Sequence, residues 1–264
     1  MLLVALLLAL CCAQPAAYGE SFAEDFAGPA GSLPNPAVWT FDTGGSWGNG
    51  QELQAYTASP QNASLDGHGD LVITARHEAF TSAEGVTRQY TSARLETAQK
   101  FNFTYGHIEA RIKVPSGAGL WPAFWALGDS ANAADAWPAP GEIDVMEMLG
   151  AHPSVAYGTL HGPSAHSASG YKVQSAYHAP CSLAAGFHIY SADWTPDAIT
   201  FAVDGHPYRT VTPAELPAGA SWPFSHRFFL VLDLAVGGTW GGAPSAATPW
   251  PAQMVVDWVR VSPR

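Results

Sequence analysis

Residues 141–150 read Gly-Glu-Ile-Asp-Val-Met-Glu-Met-Leu-Gly, an apolar run that carries three acids, Glu142, Asp144 and Glu147. Strand side chains alternate faces, so Glu142 and Asp144 share one face while the spacing sends Glu147 to the other. A β-bulge at Val145-Met146 resolves the conflict, because one extra residue shifts everything beyond it by one face. All three carboxylates then line the same side of one strand. Crowding acids there raises their pKa values and costs several kcal/mol unless they are neutralised or used. Two carboxylates flanking one bond, with pKa values pushed apart, suit glycoside hydrolysis. In the retaining form one attacks the anomeric carbon; the other protonates the leaving oxygen and then activates water, the pair standing ~5–5.5 Å apart. Cα atoms four pleat positions apart lie ~13 Å from each other, a gap that two inward-leaning Glu side chains can largely close. Asp144, between them, can hydrogen-bond one neighbour and hold the two protonation states apart. On these residues alone, a solvated acidic face and part of a calcium site are the alternatives.

The surroundings favour a sugar polymer. Trp121 and Trp125 share parity in Gly119–Trp125, Trp137-Pro138 precedes the acids, and Trp240 lies in the Gly-rich stretch Val236–Gly242. Indole faces stack on the C–H faces of pyranose rings, although any single Trp is more often core. Trp39, Trp194 and Trp258 are assigned to structure.

These residues need rigid strands. Tyr105–Val114 alternates, with Ile108, Ala110, Ile112 and Val114 on one face and His107, Glu109, Arg111 and Lys113 on the other. Leu71–Ala75, Ile189–Trp194, Ile199–Val203, Phe228–Ala235 and Val255–Val261 are further strands, and Asp204-Gly205 marks a hairpin. Many short strands with no helical pattern predict two packed antiparallel sheets, an all-β sandwich of jelly-roll type. With 264 residues and 47% hydrophobic content, one domain has enough apolar material for a large core. A net charge of −11 argues against nucleic acid and anionic membrane surfaces as partners, and weakly against sulfated or uronate polymers.

Met1–Leu10 (MLLVALLLAL) is apolar but shorter than the ~20 residues that span a bilayer. It reads as a secretory signal within residues 1–19, cleaved after Ala13 or Gly19, which makes the mature chain (20–264) extracellular. Cleavage removes Cys11 and Cys12, so Cys181 stands alone and no internal disulfide forms. The sequons at Asn62 and Asn102 matter only in a eukaryotic host.

Glu-Ile-Asp-Val-Met-Glu resembles the bulged E-x-D-x-x-E signature of glycoside hydrolase family 16, in particular its laminarinase-like endo-1,3-β-glucanases. The resemblance extends over nearly all of the mature chain: WGNGQELQAYT (47–57), GDLVITAR (69–76), YTSARLET (90–97), FNFTYGHIEARIKVPSGAGLWPAFWALG (101–128), YGTLHGP (157–163), DWTPDAITFAVDG (193–205) and LDLAVGGTWGG (232–242). It implies a single-domain β-jelly roll with an open cleft on its concave sheet, Glu142 as nucleophile, Glu147 as acid/base and Asp144 as supporting acid. It also implies that Asn49, Arg94, Trp121, Trp125, His161 and Trp240 contact glucose units, with a structural role for His161 equally open. The substrate partner is then a β-glucan, the protein a monomer, and no cofactor is required. A structural calcium on the convex side would use the Asp257 carboxylate and backbone oxygens of Glu24 and Gly67; a capping Asp without metal is the alternative. The unbulged relatives act on lichenan and xyloglucan, so the extra Met146 favours the laminarinase branch. Asp233 departs from the Asn common at its position, and is expected to raise the pKa of Glu147 or shift the pH optimum. Cleavage of mixed 1,3-1,4 linkages and transglycosylation are the alternative activities; a non-catalytic β-glucan-recognition role is disfavoured because both glutamates are present.

Overall fold

The structure, a computed structural model, describes residues 21–48, 51–129 and 136–264. The leader and Asn49 lie outside the described residues. Two large sheets form the molecule. One runs His206–Val211, Ile199–Val203, His188–Trp194, Gly106–Lys113, Ala252–Ser262, Leu71–Ala75, Ala63–Leu65, with Phe22–Glu24 also pairing with Ala252–Ser262. The other runs Ser167–His178, Val155–Ser164, Glu142–Met148, Leu120–Gly128, Phe228–Val236, Arg94–Glu96, Thr40–Phe41. All pairings in both are antiparallel. This is the jelly-roll sandwich expected from the strand pattern.

Alternation builds the core as the sequence predicted. Ile108, Ala110 and Ile112 are fully buried, while His107, Glu109 and Arg111 point away from the sandwich interior. From the other sheet Phe124, Ile143, Leu230, Leu232 and Leu234 join the same apolar cluster. The hairpin after Val203 turns on Asp204 and Gly205, both at positive φ (50° and 73°), the type I′ geometry that matches strand twist.

Leu120–Gly128, Val155–Ser164 and Ser167–His178 are strands beyond those that the pattern marks. Pro122 masks the first, since proline cannot donate to a central ladder. Here it lies opposite Leu234 in a stretch that pairs on that side alone; pairing to Glu142–Met148 begins at Ala123. The outermost strand, Ser167–His178, mixes polar residues with Tyr171, Val173 and Tyr177 and keeps no sustained alternation to announce it. Among the tryptophans assigned to structure, Trp39 and Trp194 are buried. Trp258 is not. The ladder between Gly106–Lys113 and Ala252–Ser262 shifts register at Arg111/Ile112, which puts Asp257 and Trp258 together on the outer surface, with the Arg260 guanidinium 4.3 Å from the Trp258 ring.

Candidate active site

The acid strand bulges where its spacing required. Against Val155–Ser164, Asp144 pairs with Thr159 and Glu147 with Tyr157, so Val145 and Met146 together oppose Gly158. Against Leu120–Gly128, Asp144 pairs with Trp125 and Met146 with Phe124, which makes Val145 the extra residue on that side rather than Met146. Both bulge residues are apolar and drop into the core. Beyond them Glu147 returns to the face of Glu142 and Asp144. All three acids line one cleft of about 640 Å³ on the outer face of the sheet.

Neighbouring strands deliver the groups that hold the acids. From Leu120–Gly128, Trp121 brings its indole N–H 3.1 Å from Glu147 Oε1, and from Val155–Ser164 the Thr159 hydroxyl donates to Glu147 Oε2 at 3.0 Å. Trp137, on the approach to the acid strand, donates to Glu142 Oε2 at 3.0 Å. His161, directly opposite Glu142 in the ladder, places Nε2 3.3 Å from Asp144 Oδ2 and 3.7 Å from Glu142 Oε1. Trp240 packs edge-on against Trp121 and Tyr157, with the Lys172 ammonium 5.1 Å from its ring. Arg94 is ion-paired to Asp42 at 3.1 Å and lies between the rings of Trp47 and Trp125, 4.8 and 4.7 Å from their centroids. The cleft therefore gathers Arg94, Trp121, Trp125, His161 and Trp240, as the sequence predicted. It adds Trp47, Trp137 and Lys172, which also line the cleft. Only Trp137 gave a sequence signal, its place directly before the acids.

Burial governs the electrostatics. Glu142 is pushed up to about 8, first by burial and then by the charge of Asp144, with His161 opposing. Glu147 rises to about 7 through burial and the charge of Glu142, while the Thr159 hydroxyl pulls it back. Asp144 stands well above the ordinary carboxylate range because it is buried and faces Glu147. Burial and mutual repulsion thus favour the protonated form of each acid more than in a free carboxyl. Asp233 accepts from Trp125 Nε1 at 2.7 Å and from the Tyr56 hydroxyl at 2.9 Å, and burial raises its pKa against the charge of Arg94. Its charge is felt by Asp144 and Glu52. The expected influence of Asp233 on Glu147 is therefore displaced to Asp144.

The suggested calcium ligands lie on the opposite sheet. The Glu24 carboxylate accepts from the Phe26 amide, and Gly67 adopts a positive φ of 87°. The Asp257 carboxylate, the only side-chain ligand in that set, is bonded to the Arg111 guanidinium. A cation there would compete with Arg111 for the Asp257 charge.

A family model described as glycosyl hydrolases family 16 matches residues 51–260, which include every acid of the cleft. The chain belongs to glycosyl hydrolase family 16. A relative from Rhodothermus marinus named beta-glucanase is 43% identical over 87% of this chain and 80% of its own length. Among solved structures, the endo-beta-1,3-glucanase of Pyrococcus furiosus superposes with a TM-score of 0.82 at 43% identity, covering 91% of this chain and 92% of that one. The laminarinase catalytic domain of Thermotoga maritima MSB8 also reaches 0.82, at 41% identity, with 91% and 96% covered. Other curated relatives are longer proteins, of which this chain spans about a third.

Proposed function

We propose that this chain is a retaining endo-1,3-β-glucanase of the laminarinase type. The observation that carries this reading is the bulge at Val145-Met146, which brings Glu147 into the cleft with Glu142 while apolar residues fill the space beneath. The endo-1,3-β-glucanase from Pyrococcus furiosus and the laminarinase from Thermotoga maritima, both near two-fifths identical to this chain, support it.

In this mechanism the Glu142 carboxylate attacks the anomeric carbon as the glycosidic C–O bond breaks. Glu147 passes its proton to the leaving glucosyl oxygen. Water then loses a proton to the Glu147 carboxylate, and its oxygen displaces Glu142 from the anomeric carbon, so two inversions give retention. Burial suits Glu147 to the first step, because a pKa of about 7 keeps it protonated in mildly acidic medium. Glu142 must be ionised when it attacks. Asp144 is the more deeply buried of the two, and a proton held on Asp144 leaves Glu142 free as nucleophile, assisted by the Trp137 N–H and by His161. Arg94 is held between two indoles with donors to offer sugar hydroxyls. Trp121, Trp125 and Trp240 offer apolar faces to the pyranose rings.

Secretion belongs to the same proposal, supported by the apolar leader, as do action as a monomer and a stabilising calcium at Asp257. The deciding experiment scores reducing sugar from laminarin, curdlan, lichenan, agarose and carrageenan. Release from laminarin and curdlan with β-configured early products is expected. Release from agarose or carrageenan alone, or products of inverted configuration, would overturn the proposal.

A further inference from the structure

Glu142 Oε1, Asp144 Oδ2 and His161 Nε2 form a compact donor set. His161 Nε2 lies 3.3 Å from the aspartate oxygen and 3.7 Å from the glutamate oxygen. One ligand atom from each of the three residues falls within 4.8 Å of the others, and no other such group of three occurs among the described residues. A tetrahedral zinc ion with bonds of ~2.0–2.2 Å holds its ligand atoms ~3.3–3.6 Å apart. Both separations from His161 are close to that spacing, and the two carboxylate oxygens, within 4.8 Å of each other, need only side-chain adjustment to meet it.

A second observation concerns Asp144 alone. The residue is 3% exposed, and its Oδ2, the oxygen facing His161, is buried and accepts no hydrogen bond. A buried carboxylate oxygen without a donor carries a desolvation penalty. Both oxygens of Glu147 and of Asp233, by contrast, have definite donors: Trp121 and Thr159 for the first, Trp125 and Tyr56 for the second. The Asp144 oxygen is directed at the one place where an imidazole nitrogen and a second carboxylate converge.

We propose that Glu142, Asp144 and His161 constitute an inhibitory site for a divalent transition metal, Zn²⁺ or Cu²⁺. Two carboxylates and one imidazole offer a mixed oxygen–nitrogen set that suits these ions, whereas Ca²⁺ and Mg²⁺ want oxygen alone and more of it. Three protein ligands leave the fourth position facing the cleft. An ion there ties up Glu142 and stands where a sugar ring must sit, so metal and glucan exclude each other. The binding claim is independent of the proposed function; the inhibitory claim rests on the role assigned to Glu142.

Isothermal titration of Zn²⁺ into the full chain, in a buffer that does not chelate metal, tests the binding. One ion per chain is expected, with affinity at least ~10-fold weaker in His161→Gln and in Asp144→Asn. Melting curves confirm that each variant is folded. Substituting Co²⁺ should give the visible absorption of a four-coordinate ion, abolished in His161→Gln. An unchanged isotherm in both variants would assign the zinc to surface histidines and overturn the proposal, as would the absence of binding. Laminarin hydrolysis read in parallel separates the two claims. Zinc seated on the trio without loss of activity overturns the inhibitory role, whereas a metal-free protein inactive on every glucan counts against the proposed function while the isotherm still decides the site.

Discussion

Tyr56 donates its phenolic hydrogen to Asp233 at 2.9 Å, a bond between residues 177 positions apart in the chain. Trp125 donates to the other carboxylate oxygen, and Arg94 lies opposite Asp233 in the ladder. A buried acid with this many partners acts mainly as fixed negative charge at the edge of the catalytic trio. That charge raises the pKa of Asp144.

Asp233→Asn removes the charge while keeping the shape. The pKa of Asp144 should fall, and with it that of the proton it shares with Glu142. The profile of kcat/KM against pH is therefore expected to move toward acid. A profile that stays in place or moves toward alkali would show that Asp233 does not act on the trio.

Thr159→Val works in the opposite direction. The hydroxyl favours ionised Glu147, so its loss should raise that pKa above about 7. The alkaline limb of the kcat profile moves up, because the acid keeps its proton to higher pH. Loss of one buried hydrogen bond costs on the order of 1 kcal/mol of stability. An unmoved alkaline limb in a folded variant would remove Glu147 from the role of general acid.

Glu142→Gln and Glu147→Gln each should lower kcat by at least ~10²-fold with the fold intact. Initial rates on laminarin, alongside melting curves, check this. Near-native turnover in either variant would cancel its assigned role.

Stability should depend on pH in a definite sense. Glu142 and Glu147 have folded pKa values of about 8 and about 7, against an ordinary value of 4.5. The folded state therefore binds more protons than the unfolded state between those limits, and its stability falls as pH rises through that window. The loss is on the order of a few kcal/mol per group. Melting temperature is expected to be higher near pH 5 than near pH 8, with the slope flattened in either Gln variant. A melting temperature that rises from pH 5 to pH 8 contradicts this.

Calcium is tested by melting in the presence of the ion and of a chelator. Occupancy at ~100 times Kd stabilises by ~2.7 kcal/mol, worth several degrees for a domain of this size. Because Arg111 competes with an ion for the Asp257 carboxylate, Arg111→Gln should strengthen the effect. Superimposable curves for wild type and variant in both conditions would dismiss the calcium proposal.

The site was more legible in the sequence than the sheet that carries it. Glu142, Asp144 and Glu147 announce themselves because acids at broken parity in an apolar strand are costly to bury unless chemistry uses them, and the bulge that reconciles them is dictated by their spacing. Strands such as Gly106–Lys113 are equally plain, since one face is core and the other solvent. The strands on either side of the acids were harder. Leu120–Gly128 is apolar on both faces where tryptophans meet substrate space, and Pro122 hides within it. Thr159 and Lys172 are brought to the acids by pairings across the sheet, and Tyr56 by the separate short ladder of Gln54–Tyr56 with Tyr90–Ser92, none of which local pattern encodes. Trp258, assigned to structure, is only half-buried, because the extra residue Asp257 in its own strand sets it on the outer surface against Arg260.

Strand order has a consequence for biogenesis. The floor of the cleft interleaves distant segments, with Phe228–Val236 between Arg94–Glu96 and Leu120–Gly128. The opposite sheet does the same, with Ala252–Ser262 between Gly106–Lys113 and Leu71–Ala75. Neither centre can close before Phe228–Val236 and Ala252–Ser262 are available to insert between strands made much earlier, and such non-local pairing is slow. Until they insert, their neighbours present open strand edges that invite self-association.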